Sequence, residues 1–345
     1  MSIKAFICGV EGFTLTGPER DFLRAEQPWG FILFKRNVRD RAQVAALVAD
    51  LRSCVGRADA PVLIDQEGGR VQRLGPPHWP AYQPGAAYGA LYERDRDAGL
   101  EAARLGARLI AADLLPLGID VDCLPICDVL AGGPNPAIDS RSYGREPGQV
   151  SAIGAAVARG LAEGGVLPVV KHMPGHGRAA VDSHHKLPVV NADRATLNAT
   201  DFAAFRPFAT LPLGMTAHVV FSAIDPIAPA TISATIVRDV IRDSIGFKGL
   251  LMTDDISMNA LAGSVGERAR AALAAGCDVA LHCNGEMTEM RAVAAEAPPL
   301  VGEARRRAEA ALAARKPPDA FDVVAGRAQL LSLMAGVWQP AQGLA

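Results

Sequence analysis

The sequence of 345 residues predicts an α/β fold, a closed (β/α)8 TIM barrel with additional C-terminal helices. Two observations predict this class: eight short apolar runs rich in branched residues, and periodic stretches of helical length between them. Continuous apolarity is typical of parallel strands that are buried on both faces. Because no G-x-G-x-x-G motif follows an early strand, the alternation favours a closed barrel over an open doubly wound sheet.

The eight predicted strands are short, and each stops at a polar or glycine-containing segment. In chain order they span Ala5–Val10, Gly30–Phe34, Pro61–Asp65, Asp120–Cys127, Leu167–His172, Gly214–Val220, Gly249–Asp254 and Val279–Cys283.

Seven helices are predicted between the strands, because apolar residues recur there at helical spacing. They span Gly17–Ala25, Asp40–Cys54, Ala98–Leu114, Gly148–Ala162, Arg194–Phe208, Ser233–Ser244 and Val265–Ala275. Thr231 and Ser233 supply a start for the sixth of these helices, and Gly246 supplies its stop.

Three further helical stretches follow the eighth strand, at Met287–Ala297, Gly302–Ala314 and Phe321–Val337. We expect them to cover the outside of the barrel. Residues 1–345 are expected to form one domain, with the barrel at about 5–285 and the C-terminal helices at about 286–338. The roughly 60 residues after strand eight leave no room for a second α/β domain.

Long segments without helical periodicity follow strands three, four and five, at Gly75–Tyr88, Ala131–Pro147 and Met173–Val190. Loops of this length inside a compact domain are usually functional. In a barrel they lie on the C-terminal face, where active sites are built. The sequence therefore predicts one site on that face.

Composition and charge exclude several classes of protein. The net charge is −2 and no run of like charges resembles a nucleic-acid arm or a membrane-binding patch, so we expect no nucleic-acid partner and no membrane contact. The longest apolar stretches are far shorter than the roughly 20 residues of a spanning helix. Six scattered cysteines without a C-x-x-C motif predict buried free thiols, which are typical of a reducing cytoplasm.

Polar residues cluster at the ends of three predicted strands. Strand three ends in Asp65-Gln66-Glu67-Gly68-Gly69-Arg70-Val71-Gln72-Arg73, and strand seven ends in Thr253-Asp254-Asp255. Strand five ends in Lys171-His172, and the span 172–185 holds four of the seven histidines. Each group has a structural alternative: the acids as helix N-caps, Lys171 and His172 as ion-pair partners, and the other histidines as structural loop residues.

These motifs resemble the β-N-acetylglucosaminidases of glycoside hydrolase family 3, in the single-barrel cytoplasmic branch that acts in peptidoglycan recycling. The most specific part, Lys171-His172-Met173-Pro174-Gly175-His176-Gly177-(x4)-Asp182-Ser183-His184, is similar to the signature that separates hexosaminidases from β-glucosidases. The other matching segments are residues 65–73, Arg141-Ser142-Tyr143-Gly144, Thr216-Ala217-His218 and residues 253–258. Met173, Thr253 and His282 depart mildly from the family pattern, and none of these changes removes a catalytic group.

The resemblance implies a retaining exo-β-N-acetylglucosaminidase. It implies that Asp254 is the nucleophile and that His184 is the acid and base, with Asp182 orienting the imidazole. Alternate residues of an extended loop can share a face, so Asp182 and His184 can lie on one side. An ordinary histidine pKa near 6.5 suits both proton donation and proton removal.

The resemblance also implies the substrate. Asp65, Arg73, Arg141, Lys171 and His172 would surround the non-reducing N-acetylglucosamine of a small-molecule substrate. That substrate would be a peptidoglycan fragment, or muropeptide, such as GlcNAc-1,6-anhydroMurNAc with or without peptide. The resemblance implies that no metal and no cofactor are required. The sequence makes no prediction of the oligomeric state.

Three alternative functions remain open at this point. If phosphate instead of water cleaved the glycosyl-enzyme, the protein would be a β-N-acetylglucosaminide phosphorylase. A metal-dependent TIM-barrel hydrolase would need the histidines and Asp254 to converge on zinc, yet neither H-E-x-x-H nor H-x-H after strand one occurs. The third alternative is a non-catalytic sugar-binding protein.

Overall fold

A closed barrel of eight parallel strands forms the centre of the computed structural model, which describes residues 2–133, 135–179, 181, 183 and 186–338. The strands are β1 (Lys4–Cys8), β2 (Pro28–Leu33), β3 (Val62–Ile64), β4 (Val121–Asp122), β5 (Leu167–Met173), β6 (Leu213–Thr216), β7 (Leu250–Asp255) and β8 (Val279–His282). Each pairs with its neighbours in chain order, and β8 closes onto β1. The predicted TIM barrel is confirmed.

Strand β4 is much shorter than the predicted Asp120–Cys127. Pro125 interrupts it, because proline has no N–H to give to the ladder. Pairing with β5 resumes at a single bridge between Ile126 and Lys171, where the N–H of Cys127 donates to the carbonyl of Lys171 at 2.7 Å. After this interruption the chain is no longer part of a continuous strand as it approaches the C-terminal end of the barrel.

Alternate residues of each strand pack on opposite faces, and both faces are apolar. In β1, Ile7 belongs to the cluster inside the barrel, whereas Phe6 belongs to the cluster beneath the surrounding helices. In β2, Ile32 and Phe31 divide in the same way. Because both faces of each strand are buried, the strand sequences are continuously apolar.

The surrounding helices are α1 (Gly17–Glu26), α2 (Arg41–Val55), α3 (Gly85–Arg94), α4 (Arg96–Leu114), α5 (Pro147–Glu163), α6 (Arg194–Ala199), α7 (Val265–Ala275), α8 (Met287–Glu296), α9 (Gly302–Ala313) and α10 (Val323–Leu333). A π-helix, which is wider than an α-helix, spans Ile236–Ser244. The hydroxyl of Ser233 accepts the N–H of Ile236 at 3.1 Å, and Gly246 follows with a φ of +79°, as the start and stop signals predict.

Two helix predictions are wrong. Helix α6 ends at Ala199 instead of Phe208: the Thr200 hydroxyl donates to the carbonyl of Thr196, and the chain continues in turns over residues 200–205. Helix α3 was not predicted, and its first four residues, 85–88, fall in the segment Gly75–Tyr88 that the sequence predicts to be non-helical. Its two glycines lower helix propensity, but they let the helix touch the backbone carbonyls of Arg141 and Tyr143, which a Cβ would block.

Among the C-terminal helices, α9 covers the amino-terminal end of the barrel instead of its side. Its residues Ala308 and Ala311 belong to the cluster inside the barrel, together with Trp29 and Leu167. Helix α10 packs on α4.

All six cysteines are buried free thiols, as predicted. In the part of the chain that the structure describes, no helix has both the length and the apolar character needed to cross a bilayer.

Candidate active site

The predicted polar strand ends meet in one cavity of about 240 Å³ at the C-terminal end of the barrel. Its polar lining consists of Asp65, Arg70, Arg73, Arg141, Lys171, His172, Asp254 and Asp255. All five predicted sugar-binding residues and the predicted nucleophile are in this set. A larger cavity of about 450 Å³ lies at the opposite end, beside the start of β5, but its lining is mostly apolar and none of these groups faces it. The charged cavity is therefore the candidate site.

A short hairpin after β3 brings Arg73 back to Asp65. Residues Gln66–Gly68 pair antiparallel with Val71–Gln72, and the side-chain oxygen of Gln66 accepts the N–H of Arg73 at 3.0 Å. Gly68 has a φ of +94°, a conformation that L side chains rarely adopt. Nη2 of Arg73 consequently lies 2.9 Å from Oδ2 of Asp65.

Lys171 is almost completely buried, with 2% of its side chain exposed. Its Nζ lies 2.8 Å from Oδ1 of Asp65 and 2.8 Å from Oε1 of Glu67. Burial alone would lower the pKa of Lys171, but the two carboxylates raise it above its ordinary value. Burial likewise opposes ionisation of Asp65, yet Lys171 and Arg73 hold the pKa of that acid far below its usual range. Both groups are charged near neutrality.

Glu67 is a site residue that the sequence reasoning missed. Its carboxylate binds Arg141 in a bidentate pair, with Nε and Nη2 of Arg141 each 2.8 Å from one oxygen. Burial would raise the pKa of Glu67, but Arg141 and Lys171 lower it. The available signal was its spacing, since residues two apart in a strand share a face and Glu67 is two residues beyond Asp65.

Asp128 is the second missed residue, and it holds His172. Oδ2 of Asp128 lies 2.6 Å from Nδ1 of His172. The other oxygen, Oδ1, accepts the backbone N–H of His176 at 2.7 Å and that of His172 at 3.3 Å. Burial opposes the charge on Asp128, but His172 and these hydrogen bonds hold its pKa below the usual value. An acid directly after the apolar segment 124–127 was the available signal.

His176 does not line the cavity; its Nε2 lies 3.0 Å from Oγ of Ser183. Burial, with the nearby His172, lowers the pKa of His176 to about 4. The imidazole of His176 is therefore neutral near pH 7.

Asp254 lies at the end of β7 and faces the cavity. Its Oδ1 accepts the N–H of Asp255 at 2.8 Å. Burial would raise the pKa of Asp254, but His172, His218 and this hydrogen bond lower it. The cavity thus holds an ionised carboxylate close to cationic groups.

Asp255 supports the end of β7 through its two carboxylate oxygens. Its Oδ1 accepts the backbone N–H of Cys283 at 3.1 Å, and its Oδ2 accepts the hydroxyl of Ser257 at 2.6 Å. The contact with Cys283 ties the end of β7 to the segment after β8.

Asp182 and His184, the predicted acid/base pair, lie outside the residues that the structure describes, as does His185. Ser183, between them in the chain, is described and buried.

Four histidines that the structure describes, at positions 172, 176, 218 and 282, have side-chain partners within the protein. Nδ1 of His218 lies 2.7 Å from Oγ1 of Thr231, and its Nε2 lies 2.9 Å from the carbonyl oxygen of Asp255. Within residues 2–133, 135–179, 181, 183 and 186–338, no group of three or more histidine, cysteine, aspartate or glutamate side chains is placed to hold a metal ion.

Comparisons with known proteins point in one direction. Residues 14–307 match the glycosyl hydrolase family 3 N terminal domain. The chain is 37% identical over 318 residues to a beta-hexosaminidase of Aromatoleum aromaticum, and the match covers 91% of this chain and 87% of that protein.

Two solved structures resemble the fold over nearly the whole chain. A glycoside hydrolase family 3 beta-N-acetylglucosaminidase from a Paenibacillus species has a TM-score of 0.78 at 31% identity, covering 99% of this chain and 63% of that longer chain. This chain therefore spans less than two thirds of the Paenibacillus protein. NagZ from Neisseria gonorrhoeae, solved in complex with N-trifluoroacetyl-D-glucosamine, has a TM-score of 0.81 at 28% identity, covering 97% and 99% of the two chains.

Proposed function

This chain belongs to glycosyl hydrolase family 3, and on that premise we propose that it is a retaining exo-β-N-acetylglucosaminidase. The observation that carries the proposal is the ionised carboxylate of Asp254, which shares one cavity with Asp65, Lys171 and His172. A retaining glycosidase needs a carboxylate beside the anomeric carbon of a bound sugar. The similarity to proteins called beta-hexosaminidase supports the same substrate class.

Asp254 would act in two steps with His184. In the first step its carboxylate attacks C1 of N-acetylglucosamine, the glycosidic bond breaks, and protonated His184 gives its proton to the leaving oxygen. In the second step neutral His184 takes a proton from water, the water oxygen attacks C1, and Asp254 leaves as a carboxylate. Asp182 would orient the imidazole and stabilise its protonated form. The low pKa of Asp254 supports the first step, because a nucleophile must be ionised to attack.

The sugar would be held by Asp65, Arg73, Arg141, Lys171 and His172. The charges of Asp65, Arg141 and Lys171 support this role, because hydrogen bonds from charged groups to hydroxyls are stronger than neutral ones. They are also held in place before any ligand arrives: Asp65 bonds both Arg73 and Lys171, and His172 is fixed by Asp128. Such preorganisation lowers the entropic cost of binding a small polar ligand.

The substrate would be a peptidoglycan fragment such as GlcNAc-1,6-anhydroMurNAc, with or without peptide, cleaved in the cytoplasm. The motif at Lys171–His184 and the similarity to NagZ support this finer proposal. This substrate proposal is tested by the ratio of kcat/KM for GlcNAc-1,6-anhydroMurNAc to kcat/KM for chitobiose. A ratio well above one is expected, and a ratio at or below one would count against a peptidoglycan substrate.

The decisive experiment compares Asp254→Ala and His184→Ala on two substrates that differ only in leaving group. On 4-nitrophenyl and methyl N-acetyl-β-D-glucosaminide, Asp254→Ala is expected to abolish turnover of both. His184→Ala is expected to slow the methyl glycoside by about 10²- to 10⁴-fold and the nitrophenyl glycoside far less, because a good leaving group needs little protonation. Glu163→Gln, outside the cavity, is the matched control. Equal losses on both substrates would refute the acid role of His184.

The same assay separates the alternatives. Hydrolysis predicts free N-acetylglucosamine as the product at any phosphate concentration. A phosphate-dependent rate with N-acetylglucosamine 1-phosphate as the main product would identify a phosphorylase. Loss of activity in a chelator, reversed by zinc, would support a metal-dependent enzyme, and no turnover of any N-acetylglucosaminide would support a sugar-binding protein.

A further inference from the structure

Glu67 is a buried carboxylate that does not line the sugar cavity but binds two cations that do. We infer that Glu67 is a positioning residue, which fixes the side chains of Arg141 and Lys171 for recognition of the sugar. This inference rests on the proposed function.

The two carboxylate oxygens of Glu67 make three short contacts with the two cations. Oε1 lies 2.8 Å from Nη2 of Arg141 and 2.8 Å from Nζ of Lys171, while Oε2 lies 2.8 Å from Nε of Arg141. Only 4% of the Glu67 side chain is exposed. The bidentate pair fixes the plane of the guanidinium as well as its position.

No neighbouring acid of the hairpin can take over this role. Asp65 already uses one oxygen for Lys171 and the other for Arg73. Arg141 has a second contact with the carbonyl oxygen of Ala137 at 3.0 Å, which is neutral. Loss of the Glu67 charge would leave Arg141 without its buried counter-ion and Lys171 with one partner instead of two.

The backbone around Glu67 is fixed independently of the cations. The N–H of Gln66 donates to Oδ1 of Asp122 at 3.0 Å, and its side chain bonds Leu74. On the other side, Gly68 packs so closely on the carbonyl of Gln83 that no Cβ would fit. The carboxylate of Glu67 is therefore presented by a rigid hairpin, as a positioning group requires.

A double-mutant cycle distinguishes positioning from a merely structural role. The variants are Glu67→Gln, Arg141→Ala and their combination, assayed by kcat/KM on 4-nitrophenyl N-acetyl-β-D-glucosaminide. Residues in one ion-pair network couple, so Glu67→Gln is expected to lower kcat/KM about tenfold in the wild type and only about threefold when Arg141 is absent. The threefold loss is expected to remain without Arg141 because Glu67 also binds Lys171.

The matched control is Glu163→Gln, which breaks the 2.6 Å pair with Arg104 between helices α4 and α5. It is expected to leave kcat/KM unchanged in both backgrounds. Should Glu67→Gln fail to fold, Glu67→Asp tests the same coupling, because an aspartate is too short to reach both cations. Either no effect of the Glu67 variant, or the same factor with and without Arg141, would overturn the inference. A wild type that cleaves no N-acetylglucosaminide would instead refute the proposed function.

Discussion

Nδ1 of His172 lies 2.6 Å from Oδ2 of Asp128, and both side chains are buried at the end of the barrel. Because the pKa of Asp128 is held low, its carboxylate is ionised and His172 donates through Nδ1. The same carboxylate accepts two backbone N–H groups, from His172 and His176. One acid on the segment after β4 thereby fixes the course of the chain where β5 enters the site.

The first prediction concerns the charge of Asp128. Asp128→Asn keeps the shape of the side chain but leaves a single acceptor oxygen, so the amide cannot accept both from Nδ1 of His172 and from the two backbone N–H groups. Hydrogen bonds to charged groups contribute about 1.5 to 3 kcal/mol, so kcat/KM on 4-nitrophenyl N-acetyl-β-D-glucosaminide is expected to fall by about ten- to a hundredfold. Asp113→Asn is the control, since that acid bonds Tyr82 and Arg41 outside the cavity. Comparable losses in the two variants would contradict a specific role for Asp128.

Part of the predicted site follows from strands that could be recognised in the sequence. Asp65, Lys171 and Asp254 each follow a continuous apolar run, and the barrel rule places such strand ends together. Arg73 and Arg141 came from the resemblance to a family, because their hairpin and loop have no periodicity that predicts a position.

Glu67 and Asp128 were missed for a physical reason. Each acts by pairing with another side chain, and partners distant in sequence are fixed only by the tertiary fold. Helix α3 was missed similarly, since its glycines oppose a helix locally and are favourable only because the loop after β4 packs against them. Proline 125 could have predicted the short β4, because a proline inside a central strand is a recognisable interruption.

The second prediction concerns Asp122, which is buried beneath the hairpin. Burial raises its pKa well above the ordinary value, so the folded state keeps a proton that the unfolded chain loses above about pH 4. The free energy of unfolding therefore contains a component that decreases as pH rises, by up to about 1.4 kcal/mol per pH unit.

Asp122→Asn removes this component because an amide does not titrate, while its oxygen can still accept the N–H of Gln66. The stability of the variant relative to the wild type, measured by urea unfolding, is expected to rise between pH 4.5 and 7.5. The exposed Asp21→Asn serves as the control for a change in net charge. A difference that stays constant with pH would show that Asp122 is ionised in the folded protein.

The third prediction concerns the titration of His176. With its pKa lowered to about 4, the folded state binds fewer protons than the unfolded state between pH 4 and 6.5, so His176 destabilises the fold as pH falls through that window. In ring ¹⁵N spectra its signals are expected to remain those of a neutral imidazole from pH 8 to pH 5. Assignment comes from the signals that disappear in His176→Asn. A midpoint near 6.5 would mean that solvent reaches the ring.

The last prediction tests the contact between α3 and the loop that carries Arg141. A Cβ at Gly89 would meet the carbonyl oxygen of Tyr143, whereas a Cβ at Gly148, in the first turn of α5, would meet nothing within 4 Å. Gly89→Ala is therefore expected to destabilise the protein by about 1 to 3 kcal/mol, as overpacking does. Gly148→Ala should stabilise it by about 0.5 to 1 kcal/mol, because alanine loses less backbone entropy in a helix. Since Tyr143 is two residues from Arg141, Gly89→Ala should also raise KM for an N-acetylglucosaminide, whereas Gly148→Ala should not. Equal changes in stability and KM for the two variants would show that α3 does not hold the loop in place.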